Sequence, residues 1–230
     1  TIGTTVFTGS NYIPVIYVAA FDPAGNSLWV KKQDGIAKGG YIDCRPALDA
    51  DGNIFITGST QPGNSFNGFT FSNSMGASTT SFLVALDTNG NNIWATNASS
   101  SVANFSYALT YANNTVSISG RYGMMTWDGL DLVTPMNLNY IYLARFKAAT
   151  GNILGLDSLV GNSLNNNPSD LMADPNGNLY VGGNFEYQLF PADDTLTKIG
   201  GSYDWFVAKF GSENCNGDVP VPAFSWSNPG

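Results

Sequence analysis

The strongest constraint on this chain is that it resembles itself. Residues 20–29 read AFDPAGNSLW, residues 85–94 ALDTNGNNIW and residues 145–154 RFKAATGNIL. In each, a large apolar residue (Phe21, Leu86, Phe146) stands eight positions before Trp29, Trp94 or Leu154. A Gly-Asn pair lies between: Gly25-Asn26, Gly90-Asn91 and Gly151-Asn152. A fourth, partial copy is FVAKF at 206–210. Upstream of these segments a second element recurs: VFTG at 6–9, NIFITG at 53–58, TVSISG at 115–120 and NLYVGG at 178–183. Three of its four copies follow a further strand-and-turn stretch: 46–53, 107–114 and 170–178.

These segments compose a unit of four strands, A to D. Strand A ends at Asp49, Tyr111 or Asp174, and strand B at Gly9, Gly58, Gly120 or Gly183. Strand C ends at Phe21, Leu86, Phe146 or Phe210, and strand D carries Trp29, Trp94 or Leu154. Measured on the ends of strand C, the spacing is 65, 60 and 64 residues. The A–B and C–D connections are short and rich in Asp, Asn and Gly, which close hairpins. The strands are rich in Val, Ile, Phe and Tyr. The long B–C stretches carry apolar positions of their own (Phe69, Phe71, Leu130, Leu132, Leu196, Ile199) and read as irregular strand extensions.

A single four-stranded unit cannot bury both its faces. Stacking such units around an axis does so, which is the propeller solution. A β-sandwich, the competing architecture, would not require the same Gly, Phe and Trp at matching places in every unit. The expected fold is therefore all-β: a β-propeller of four-stranded antiparallel repeats about 60 residues long. The units fall at approximately 1–35, 36–101, 102–161 and 162–216. The first lacks strand A and the last lacks strand D, so about three and a half blades are legible, short of the roughly four to eight of closed propellers. This reading expects further sheets from the same polypeptide or from another chain, and takes Thr1 as a processed or truncated start. Residues 217–230 are Pro-rich and read as a linker or the start of a following domain.

Composition narrows the function. The net charge is −8 with only nine Lys and Arg, and no basic stripe interrupts it, which argues against nucleic-acid partners. No apolar run approaches the roughly 20 residues of a membrane-spanning helix. Hydrophobic residues make up 43% of the chain and aromatics 13%, enough for a packed core despite a charged fraction of 11%. There is no His, which removes the usual general base, the Ser-His-Asp triad and most zinc sites. Cys44 and Cys215 are too far apart in sequence to be a C-x-x-C pair. They either form one long-range disulfide in an oxidising compartment or are two unpaired small buried residues.

The pattern D-x-x-G-N-apolar-Y-apolar-x-G, then FVAK-F/L-D, then G-N-x-x-W, resembles the SBBP-type β-propeller repeats of large secreted or surface proteins of Bacteroidota. The matching residues are Asp49, Gly52, Asn53 and Gly58, then 82–87 and 90–94, and again Asp174, Gly177, Asn178 and Gly183 with 206–210. The resemblance covers about residues 1–211 and departs where Leu154 replaces Trp and Lys147 replaces Asp. Residues 219–230 resemble the entry into a PKD-like domain. The resemblance implies a secreted or cell-surface protein and export by type IX secretion.

Weighed residue by residue, catalysis finds little support. A carboxylate pair would suffice for a glycosidase; the acidic candidates are Asp128, Asp131, Glu186, Asp193 and Asp194, all in B–C connections and all readable as solvated loop charge. Asp49, Asp51 and Asn53 resemble half a calcium loop, but the remaining ligands are missing and a hairpin turn explains them better. Trp29, Trp94 and Leu154 share one position in the unit, which suits packing between neighbouring sheets. Trp127, Asp128, Tyr203 and Trp205 do not recur, and they are the candidate ligand surface, with an anchored loop as the plainer reading of the first two. No catalytic residue, metal ligand or cofactor is assigned. The leading expectation is a non-enzymatic module for display or for binding a protein or surface glycan. The alternatives are a glycan-active enzyme using loop carboxylates and a structural spacer without a ligand.

Overall fold

A computed structural model describes residues 16–34, 46–134, 139–191 and 195–211. Cys44, Cys215, Asp193, Asp194, the strand expected at 6–9 and the segment 217–230 lie outside the described residues. The described residues form twenty β-strands and no helix.

In chain order, β1 (Tyr17–Phe21) and β2 (Ser27–Asp34) form a hairpin. Next come β3 (Ala47–Leu48), β4 (Ile54–Thr60), β5 (Ser65–Phe66), β6 (Phe69–Thr70), β7 (Thr80–Leu86) and β8 (Asn92–Asn97). They are followed by β9 (Ser99–Ser100), β10 (Phe105–Ala112), β11 (Thr115–Tyr122), β12 (Met125–Trp127), β13 (Leu130–Leu132), β14 (Tyr140–Lys147) and β15 (Ile153–Gly161). The last are β16 (Asn167–Ala173), β17 (Leu179–Phe185), β18 (Gln188–Phe190), β19 (Leu196–Thr197) and β20 (Asp204–Phe210).

Every pairing between these strands is antiparallel. Strands β3-β4-β7-β8 form one sheet, β10-β11-β14-β15 the core of the next, and β16-β17-β20 a third. With the β1–β2 hairpin these make four successive sheets, here called first to fourth. The expected strands A to D pair side by side in that order, although strand B runs two residues past its expected glycine, to Thr60, Tyr122 and Phe185. The C–D register carries a bulge at one equivalent place in each of three sheets, at Ala20/Phe21, Ala85/Leu86 and Arg145/Phe146.

The B–C connections depart from expectation. They do not extend strands B or C but fold into small hairpins that pair with the preceding sheet or, for β12–β13, with β9 just after it. In two places the end of strand D meets the hairpin of the following unit, Gln33 opposite Phe66 and Val160 opposite Phe190; in the third the short strand β9, just after strand D, does so, with Ser100 opposite Met125. The reason is local. These stretches are too long for a tight turn, and their apolar positions need a partner, which the exposed edge of the preceding strand D supplies.

The sheets stack face to face. Along β7, alternate residues point to opposite faces: Phe82, Val84 and Leu86 pack toward the first sheet, and Leu83 and Ala85 toward the third. Along β14, Tyr142, Ala144 and Phe146 face the second sheet, while Ile141 and Leu143 face the fourth. Three apolar layers therefore separate four sheets, and both faces of the second and third are buried. Strand β10 also lies against β4 on one side and β16 on the other, so the A edges of these sheets approach one another.

Candidate functional site

The turns are the most regular polar features of the molecule. Asp22, Asp49, Asp87 and Asp174 each open a hairpin in which the Asp N–H donates to a carbonyl four residues on, at 2.9–3.1 Å. The Asp carboxylate accepts from the backbone N–H and the side-chain amide of that same residue, Asn26, Asn53, Asn91 or Asn178. These hydrogen bonds hold the Asp22, Asp87 and Asp174 carboxyls below the ordinary carboxylate value; for Asp22 and Asp174 the Asn side-chain amide contributes most, for Asp87 the Asn91 backbone N–H. The Asp49 and Asp174 carboxylates, which a calcium-loop reading would turn to a cation, thus accept N–H donors within their own turns.

The recurring tryptophan position joins neighbouring sheets. The Trp29 indole N–H donates to Thr88 O at 2.8 Å, and its ring lies against Gly90. The Trp94 indole N–H donates to Ala148 O at 2.7 Å, and its ring lies against Gly151. Both glycines sit in the next sheet's C–D turn at positive φ, +75° and +74°, and a Cβ at either would come within 2.8 Å of the ring. Trp29 and Trp94 are therefore packing residues. Leu154, at the matching position, is exposed.

The four residues chosen as a ligand surface do not make one site. Trp127 is fully buried, its ring edge-on to Phe146 at 5.0 Å and its N–H donating to Thr96 Oγ1 at 2.9 Å. The β12–β13 hairpin drives it inward, so as an open platform it is corrected here to a core anchor. Asp128 is exposed at the tip of that hairpin, with φ of 47° beside Gly129 at 84°, as a type I′ turn requires. Tyr203 and Trp205 are exposed, but they belong to β20 and the turn before it, in the fourth sheet.

Of the described acidic candidates, Asp128 and Asp131 share the β12–β13 hairpin, and Glu186 lies apart in the fourth sheet's B–C connection. Asp131 sits on β13 opposite Thr126. Glu186 accepts from Ser163 Oγ at 2.5 Å and Asn165 Nδ2 at 2.9 Å, and these two bonds, Ser163 first, lower its pKa. A general acid needs the opposite shift, so Glu186 is suited to fixing the corner between β15 and β16. Among the described residues no group of three or more His, Cys, Asp and Glu is placed to hold a metal ion. A groove of about 220 Å³ opens between the third and fourth sheets, lined in part by Asn113, Arg145, Leu154 and Asn176. Arg145 there is paired with Asp157 at 3.0 Å.

Neither a family model nor a curated protein matches this chain.

What the sequence reading missed is the open face of the fourth sheet. There Met172, Trp205 and Val207 are all exposed. The signal was present in WFVAKF: alternation puts Trp205, Val207 and Lys209 together, opposite the core-facing Phe206, Ala208 and Phe210.

Proposed function

We propose that this chain is a β-propeller module of a secreted or surface-attached bacterial protein, used for display or for binding a macromolecule, and not for catalysis. One observation carries this reading. Each outer strand D is linked to the following unit's hairpin, by its own end or, in the second sheet, through β9, and in two of the three junctions a Trp seated on the next C–D turn adds a second link. Links that always run in one direction, between sheets stacked face to face, suit a radial stack. The resemblance to SBBP-type repeats supports the same architecture and a secreted location.

The framework leaves its variable chemistry in the B–C connections, where loops on a rigid scaffold usually carry binding. In the fourth sheet this region exposes Tyr187, Ile199 and Tyr203, with the Lys198 ammonium over the Tyr187 ring at 5.8 Å. Aromatic rings beside a flexible cation suit a protein surface or a glycan. The test is an array of bacterial surface glycans and proteins probed with the chain. Retention without any change in the mass of the bound material is expected, weakened about tenfold by Tyr203→Ala, the effect of losing one aromatic anchor. Release of shortened glycan, abolished by Asp131→Asn, would overturn the proposal in favour of hydrolysis.

A further inference from the structure

The two outermost sheet faces are the places where the stacking pattern is interrupted. Strand C aligns across the four sheets, so each of its positions has counterparts. Val207 of the fourth sheet corresponds to Leu83 and Leu143. Those two are 0% and 2% exposed beneath the next sheet, whereas Val207 is 64% exposed and its neighbour Trp205 77%. Opposite Val207 in the register is Gly182. The residues at that place in the second and third sheets, Thr57 and Ser119, are buried. At the other end, Phe21 of the first sheet corresponds to Leu86, Phe146 and Phe210. These are 0%, 0% and 7% exposed against the preceding sheet, but Phe21 is 51% exposed.

The two open faces are therefore of opposite kinds. The fourth sheet shows the surface that elsewhere receives a following sheet. The first shows the surface that elsewhere rests on a preceding one. The second-to-third junction already brings this pair of surfaces together, with Leu83 and Phe146 in one apolar layer. Above Gly182 a built Cβ would meet nothing nearer than a backbone oxygen at 4.0 Å, which leaves room for an incoming side chain.

We infer that the occupant of each open face is a second copy of this chain, docked head to tail, the first sheet of one copy on the fourth sheet of the other. This rests on the propeller reading above. A head-to-tail joint closes into a ring when its rotation allows. Two copies of four sheets give about eight, within the range of closed propellers. Both joints would continue the layers seen between the internal sheets, with Trp205, Val207 and Met172 of one copy covered by the Phe21 face of its neighbour.

Light scattering on the purified chain tests this. The expected mass is twice 24.4 kDa. Val207→Lys and Phe21→Lys each lie on an exposed position, and each should reduce the mass to that of one chain. Mixing the two variants should restore pairs, because one keeps its first-sheet face intact and the other its fourth; that rescue also shows that both variants are folded. A mass of 24.4 kDa for the unaltered chain at 100-fold dilution and at high concentration alike overturns the inference, since the open faces then await sheets from elsewhere. A dimer that survives Phe21→Lys but not Val207→Lys also overturns it, because fourth sheets are then meeting like to like. Binding on the array is read independently, so its failure leaves the mass result intact.

Discussion

At the scale of single residues, the fold depends on glycines that sit under neighbouring backbone. Gly120 and Gly183 lie in strand B where strand A bulges, between Ser106 and Ala108 in one sheet and between Pro168 and Asp170 in the other. A Cβ at Gly120 would fall on Phe105 O and come within 2.6 Å of Tyr142 Cε1; at Gly183 it would fall on Asn167 O and come within 2.8 Å of Phe206 Cε1. Backbone oxygens held in a ladder cannot move aside, so the added methyl forces the sheet apart. Gly120→Ala is expected to destabilise the protein by about 2 kcal/mol, read as a lower midpoint in denaturant. Gly200→Ala, where nothing lies within 4 Å, serves as the neutral control. Equal midpoints for the two variants would contradict this packing.

At the scale of elements, the Asp-headed hairpins make the fold sensitive to acid. Asp22, Asp87 and Asp174 ionise below their ordinary 3.8 because the folded turn donates hydrogen bonds to the carboxylate. A lowered folded pKa means that this contribution is fully present above pH 3.8 and is lost as pH falls through the depressed values. Asp87→Asn removes one such charge. Thermal melts between pH 2 and pH 6 should show a shallower acid limb for that variant, and an unchanged limb would show that the turn makes no such contribution. These hairpins were legible in the sequence, because Asp followed by Gly-Asn has few other uses between two apolar runs. The strand order was legible for the same reason. The pairing of the B–C hairpins with the preceding sheet was not, since two- and three-residue strands carry too little periodicity to announce a partner. The inward turn of Trp127 was also hidden: Asp128-Gly129 marks a turn, but not the face to which the residue before it points.

At the scale of the whole molecule, four sheets are held in chain order by apolar layers and by links that run from each sheet to the next. Burial on both faces explains why strand C of the second and third sheets is rich in apolar residues, with all of β7 and most of β14 buried. It also explains why the exposed aromatic and aliphatic residues of the first and fourth sheets stand out, since the same positions are sealed elsewhere. Among the described residues, Asp128 and Asp131 share one hairpin and Glu186 lies in another sheet, whereas the recurring residues serve turns and packing. The direct test of this order is the proton NMR spectrum of Gly90 and Gly151. In each glycine the α-proton standing where a Cβ would be points into an indole ring of the preceding sheet, Trp29 or Trp94. Both protons should be shifted upfield, and each shift should vanish on replacing its own tryptophan, Trp29→Leu for Gly90 and Trp94→Leu for Gly151, without affecting the other. Unshifted α-protons in the unaltered protein, or shifts indifferent to these substitutions, would mean that the sheets do not stack in this order.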